Sequence, residues 1–198
     1  MLTIFEKTIF SMKNLFNLIK HRRSIFPEQY LDEPIEKEII HKLLEAANWA
    51  PTHKRTEPWR FKIFMDASRD SLSDAFAEAY KKVTPEDKFS DFKMKNLTSK
   101  PKLSGAVIAI CMLRDPKESL PEWEEVASVA MAVQNMWLMA SSLDLGSYWS
   151  SPGLMSEMSE FLNLAEGEKC LGFFYLGYYD IEKPEGKRGA IDEKVEWR

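Results

Sequence analysis

Four short segments of this 198-residue chain concentrate side chains that can do chemistry. The first is Arg22-Arg23-Ser24, where two guanidiniums and a hydroxyl in succession can make several charge-assisted hydrogen bonds to a terminal phosphate. The same residues suit a helix C-terminus, where basic groups complement the helix dipole, and taken alone that is the commoner explanation. The second runs from Ala50-Pro51-Thr52-His53 through Lys54-Arg55-Thr56-Glu57 to Pro58-Trp59-Arg60-Phe61, a polar loop pinned by Pro51 and Pro58. Such loops carry function more often than helices do, although His53 alone reads as an exposed loop histidine and Trp59 as core. The third, Trp149-Ser150-Ser151-Pro152-Gly153, is small and turn-rich, so backbone N–H groups can approach the edge of a flat ring. A plain tight turn explains it equally. The fourth, Lys187-Arg188, lies in a polar tail and by itself reads as a solvated basic pair.

Other chemistries fail at their first requirement. Gly146 and Gly153 do not form a GxGxxG fingerprint, and the sequence has neither a GxxxxGK phosphate loop nor a GxSxG nucleophile elbow. His21, His41 and His53 lack the close spacing of zinc ligands, so no structural metal is expected. Cys111 and Cys170 sit in apolar, strand-like runs without a CxxC pair, which points to two reduced buried thiols in a cytoplasmic protein. Apolar residues at 44% and charged residues at 29% describe an ordinary globular chain, and a net charge of -4 argues against nucleic-acid or membrane-surface partners. A local basic pocket is compatible with that balance. The first sixteen residues are apolar but interrupted by Glu6, Lys7, Lys13 and Asn14, too short a run for a membrane span and without a signal-peptide pattern. Met12 offers an alternative start. Residues 1–12 are therefore expected to be an extension and 13–198 a single domain.

The elements that must position these segments follow from periodicity. Lys13–His21 reads as a short helix. Glu36–Trp49 is a second, with Ile39, Ile40, Leu43, Leu44 and Ala47 on one face of a 3.6-residue period. Arg60–Met65 alternates as a strand, and Ser68–Lys82 is helical with Ser68 as cap. Thr84-Pro85-Glu86-Asp87 has the residues of a fresh helix start. Ala106–Leu113 is a continuous apolar run and reads as a buried strand. Glu122–Leu143 is a helix apolar on most faces, too long to hide inside so short a chain, which predicts that it lies between two copies. Ser147–Trp149, a turn at Pro152-Gly153, a helix over Met155–Leu162 and a strand over Cys170–Tyr179 complete the pattern. Helices around a sheet of a few strands indicate an α+β or α/β layer fold.

Taken together and in order, these segments resemble the nitroreductase family, in its smaller single-domain bacterial branch. The matching pieces are His21-Arg22-Arg23-Ser24, Glu45 to His53, Glu57-Pro58-Trp59-Arg60-Phe61, Ser128–Gly146, Trp149-Ser150-Ser151, Leu171 to Gly177, and Gly186-Lys187-Arg188 followed by Glu193-Lys194-Val195. No single motif decides the matter; their joint spacing over residues 13–198 carries it. The resemblance implies an α+β fold with a central mixed β-sheet flanked by helices, in an intertwined homodimer that binds FMN non-covalently at the subunit interface. It implies that Arg22, Arg23 and Ser24 hold the FMN phosphate and ribityl chain, with Arg188 adding a phosphate contact. His53 corresponds to a flavin contact from the other subunit, and Trp149, Ser150 and Ser151 to the stretch along the isoalloxazine ring. Trp49 stands in the site where some members have arginine, so the cation near the flavin pyrimidine edge would come from elsewhere, with Lys54 or Arg55 as candidates. The extension at 1–12 has no counterpart in the family pattern.

The implied activity passes a hydride from NAD(P)H through flavin N5 to a nitroaromatic, a quinone or a similar small-molecule acceptor, with no catalytic side chain required. The lack of a triad, paired acids or a metal cluster agrees with that. A flavin reservoir or sensor without turnover would need the same phosphate contacts, and other flavin chemistry such as dehalogenation would need the same frame. Acceptor choice is expected to depend on Val83–Lys102.

Overall fold

The computed structural model describes residues 14–198; the N-terminal extension, Met12 included, lies outside the described residues. Helix α1 covers residues 14–21. It is followed by α2 (Lys37–Asn48), β1 (Trp59–Phe64), α3 (Ser68–Val83), α4 (Asp91–Leu103), β2 (Ala106–Leu113), α5 (Glu122–Ser142), β3 (Gly146–Ser150) and β4 (Glu168–Gly177). The strands form one sheet in the order β1-β2-β4-β3.

The continuous apolar run of β2 has a direct cause. Successive residues of a strand point to opposite faces, and here both faces are covered. Ile108, Ile110 and Met112 join Phe174 and Leu176 of β4 beneath α2 and α5, where Leu43, Ala47, Val129, Val133, Met136 and Ala140 are buried. Val107, Ala109 and Cys111 join Phe173 and Tyr175 on the opposite face, beneath Leu72 and Phe76 of α3 and Leu154, Met158 and Leu162 of the β3–β4 connection. Each large side chain so buried contributes about 1.5–3 kcal/mol. Phe76 meets Phe173 edge-on at 4.7 Å between ring centroids.

The α+β layering matches expectation, but the sheet departs from the expected mixed pairing: every strand pair among the described residues is antiparallel. The reason lies in the connections. Strands β2 and β3 run the same way and are joined by α5, as in a parallel crossover, but β4 is inserted between them and pairs with both. Between β1 and β2 the chain makes two helices rather than one, so it returns antiparallel to its neighbour.

Three local expectations also change. Ser68 begins α3 but does not cap its free N–H groups; its hydroxyl accepts from Met65 N at 2.8 Å and donates to Met65 O, closing the preceding turn. Thr84-Pro85 opens only a three-residue turn at Glu86–Lys88, because the chain needs a corner before α4 can pack on α3. The α-helix starts at Asp91, where the Ser90 hydroxyl accepts from Lys93 N. Met155–Leu162 tightens to a short turn over Met155–Met158, since Leu154, Met158 and Leu162 must all reach the same core.

Helix α5 is anchored at its N-terminal end by a buried carboxylate. Glu125 is fully buried, paired with Arg114, and accepts from Asp115 N at 2.9 Å; Arg114 also donates to Leu120 O at 2.7 Å. A buried charge is tolerated only when paired and hydrogen-bonded in this way. No helix among the described residues is long and apolar enough to cross a membrane.

Candidate functional site

The segment leaving α1 is held against the sheet by backbone and ring contacts. Ile25 N donates to Ser147 O of β3 at 3.1 Å, and Leu31 N donates to Tyr178 O at 2.8 Å. The Tyr30 hydroxyl donates to Ile25 O at 2.8 Å, and its ring lies so close to Gly177 that a Cβ there would overlap it. Arg22-Arg23-Ser24 is thereby fixed beside α5 and the start of β3.

Arg22 is half-buried, with its guanidinium 4.4 Å from the centroid of the Trp137 ring. Its Nη1 is buried and has no hydrogen-bond partner among the described residues. Burial, then Arg188, then Arg23 all pull its pKa below the ordinary arginine value. Arg23 donates from Nε to Pro184 O at 2.8 Å, and from Nη1 to Lys20 O and Arg22 O at 2.7 Å, tying the tail to α1. Gly186 lies against that guanidinium, and a Cβ there would overlap it. Arg22, Arg23 and Arg188 share a cavity of about 570 Å³ with Phe16, Ile19 and Gln134. Ser24 is half-buried beside them. Three guanidiniums thus line one cavity, with no carboxylate among the described residues of its lining, an arrangement suited to an anion.

The second part of the site continues from the first. The Trp137 ring meets Phe174 edge-on at 5.5 Å, and Phe174 is the register partner of Trp149 on β3. Trp149 and Ser150 are half-buried and Ser151 is exposed at the strand end. Behind them Gly172, at φ 142°, leaves no room for a Cβ, which would overlap the Trp149 indole nitrogen and Ser150 O. The close approach requires glycine. Trp149 Nε1 and Trp137 Nε1 are, like Arg22 Nη1, buried donors without partners among the described residues. An unsatisfied buried donor costs about 1–3 kcal/mol, so Arg22, whose guanidinium also lines the cavity, calls for an acceptor-bearing ligand, whereas Trp149 Nε1 lies against Gly172. The phosphate of a flavin mononucleotide has the acceptors that the Arg22, Arg23 and Arg188 guanidiniums can bind, and the residues fit it at that end.

The remaining candidates do not line this cavity. Trp49 is 79% exposed and its Nε1 donates to Glu45 of its own helix at 3.0 Å. His53 Nδ1 pairs with Glu124 at 2.5 Å, at the N-terminal end of α5. Trp137 lies thirteen residues further along that helix, roughly 20 Å away at the helical rise. Lys54 is occupied as a donor to Ser119 O at 2.9 Å. Lys54, Arg55 and Glu57 all have positive φ, at 50°, 57° and 42°, an unusual density for non-glycine residues. Lys187 is exposed.

Trp137, Gln134 and Gly172 carry no chemical signature in the sequence, Trp137 and Gln134 because they fall within the long apolar helix Glu122–Leu143. The available signal is weak: an indole five residues from a helix end looks the same whether it packs in a core or beneath an arginine.

The same frame recurs in known proteins. YfhC of Bacillus subtilis, provisionally named an NAD(P)H nitroreductase, is 28% identical over 177 residues, 88% of this chain and 88% of its own. The crystal structure of a nitroreductase-like family protein from Bacillus cereus is similar at TM-score 0.79 and 32% identity, covering 93% of this chain and 95% of that one. The FMN-dependent nitroreductase NfnB of Mycobacterium smegmatis, solved in complex with NADPH, shares the fold at TM-score 0.74 and 16% identity, covering 94% of this chain and 99% of that one. The family described as the nitroreductase family matches residues 19–178, a span that takes in the arginine pair, the helix above the sheet and the glycine-backed strand end, and the chain belongs to that family.

Proposed function

We propose that this chain is an FMN-dependent oxidoreductase that takes electrons from NAD(P)H and passes them to a nitroaromatic, a quinone or a similar small acceptor, working as a homodimer. One observation carries the reading: Arg22, Arg23 and Arg188 converge on one cavity, and Arg22 Nη1 is buried there without a partner among the described residues. The redox chemistry supplied by bound FMN is hydride uptake at N5 from NAD(P)H and delivery of the electron pair to the acceptor. The protein's part is to grip and orient. Arg22, Arg23, Ser24 and Arg188 hold the phosphate through charge-assisted hydrogen bonds. Trp137 backs the Arg22 guanidinium, and Trp149, Ser150 and Ser151 lie along the ring.

Two facts support the pairing of chains. The outward face of α5 keeps Trp123, Val126 and Met131 exposed at 69%, 37% and 39%, and α1 adds Leu15, Phe16 and Ile19 at 57%, 63% and 47%. Apolar patches of this kind mark interaction surfaces. His53 stands at the Glu124 end of α5, far from the arginine cluster of its own chain, so a second copy is what would deliver it to the ring.

The test is optical. The purified protein, with FMN added, is expected to show flavin bands that NADH or NADPH bleaches and a nitroaromatic restores. A colourless protein would overturn the flavin assignment, and bound flavin that neither nicotinamide reduces would identify a reservoir or sensor instead. The Arg22→Ala/Ser24→Ala double variant is expected to lose the pigment.

A further inference from the structure

Neither cysteine takes part in the chemistry above, yet the fold sets the two face to face. Cys111 of β2 and Cys170 of β4 are register partners across the antiparallel ladder. They sit at the register shift where Ile110 pairs with Gly172 and Cys111 with Cys170, so Leu171 is an extra, unpaired residue. Their side chains point to the same face, among Val107, Ala109 and Phe173. Directly opposed residues of an antiparallel pair have Cα atoms about 4.5 or 5.5 Å apart. That lies within the span of about 4.4–6.8 Å that a disulfide bridges. The bulge supplies the small backbone adjustment that bond formation needs.

The two thiols are not equivalent. Cys111 is fully buried, while Cys170 is half-buried and reaches the edge of the core. The neighbouring Cys111 sulfur holds Cys170 below the usual thiol range, and Cys170 pushes Cys111 above it; the Cys170 thiol itself donates to Gly172 O at 3.6 Å. Lys62 and Glu168, paired at 3.2 Å, stand beside them. A half-buried sulfur backed by a fully buried second sulfur in register is the arrangement of an attacking and a resolving cysteine.

We propose that Cys170 and Cys111 form a two-electron redox couple, reduced at rest and oxidised by hydrogen peroxide to a disulfide across β2 and β4. In the first step the Cys170 sulfur attacks the peroxide; an S–O bond forms, the O–O bond breaks, and the departing oxygen leaves as water after taking a proton. In the second, the Cys111 sulfur attacks the Cys170 sulfenic acid as its proton passes to the leaving hydroxyl; the S–S bond forms, the S–O bond breaks, and a second water departs. The two thiols lose two electrons and two protons, and the peroxide is reduced to two waters.

The experiment treats the full-length protein with hydrogen peroxide, unfolds it in an alkylating agent and measures intact mass and linked peptides. The expected result is a chain lighter by two hydrogen atoms, protected from alkylation at both thiols, with peptides carrying Cys111 and Cys170 joined and freed again by dithiothreitol. In Cys170→Ser the remaining Cys111 is expected to stay reduced, and in Cys111→Ala the Cys170 sulfur is expected to take up oxygen instead. Oxygen added at Cys170 of the unsubstituted protein with Cys111 intact would overturn the proposal, as would a link between chains or two thiols untouched by excess peroxide. Should Cys111→Ala fail to fold, the linked peptides from the unsubstituted protein decide the matter. None of these readouts depends on bound flavin, so they stand apart from the proposed function.

Discussion

Replacing Arg22 with methionine separates a ligand-binding role from a structural one, because the two predict opposite changes in stability. In the ligand-free chain Arg22 carries a buried, unpartnered Nη1 and is pressed by Arg188 and Arg23. Relieving an orphaned donor returns about 1–3 kcal/mol. Against this, the contact of the guanidinium with Trp137 at 4.4 Å is lost, worth about 0.5–2 kcal/mol, and methionine recovers part of that by its own sulfur–ring contact. The group is half-buried, so solvent screening places these terms at their lower ends. The ligand-free fold is therefore expected to be unchanged or stabilised by up to about 1 kcal/mol. With FMN the sign reverses. Loss of one charge-assisted hydrogen bond costs about 1.5–2 kcal/mol of binding, which is roughly a 10- to 30-fold weaker Kd. Flavin fluorescence titration measures the second quantity, and thermal melts with and without FMN measure the first. A variant that binds FMN within about twofold of the original but melts lower without it would show that Arg22 is a helix-end residue and that the anion-site argument is wrong.

Glu125→Ala strands Arg114 in the core and is expected to cost about 3–5 kcal/mol, read by chemical denaturation; a loss under about 1 kcal/mol would mean the pair is solvated. Gly172→Ala brings a Cβ against Trp149 and Ser150 O and is expected to perturb the Trp149 near-UV signal and flavin affinity together, whereas a change in stability alone would separate this glycine from the site. Val126→Glu combined with Met131→Glu places charge on the exposed face of α5 and is expected to yield a monomer by sedimentation that no longer retains flavin. Flavin held by that monomer would disprove the delivery of His53 by a second chain. His53→Ala is expected to weaken flavin binding while leaving the arginine cluster intact, measured as a change in Kd without loss of the dimer.

The elements that sequence specified are those whose pattern depends only on local burial. Strand β2 was legible because both its faces are covered, so its eight residues had to be apolar without interruption. Helix α2 was legible because one face is buried and the other wet. The same logic failed where a residue's role depends on partners far along the chain. Strand direction follows from which strand is inserted between two others, and no local pattern encodes the position of β4 between β2 and β3. The helix expected at Met155–Leu162 gave way to turns because Leu154, Met158 and Leu162 all answer to one tertiary core. The arginine pair and the basic tail were visible as residue types, but their meeting required the chain to bring Arg188 back to Arg22. Sequence determined which groups could bind an anion; tertiary structure decided that they share one cavity, that an indole lies beneath Arg22, and that two cysteines stand in register, because electrostatic and hydrogen-bond energies depend on distances that only folding sets.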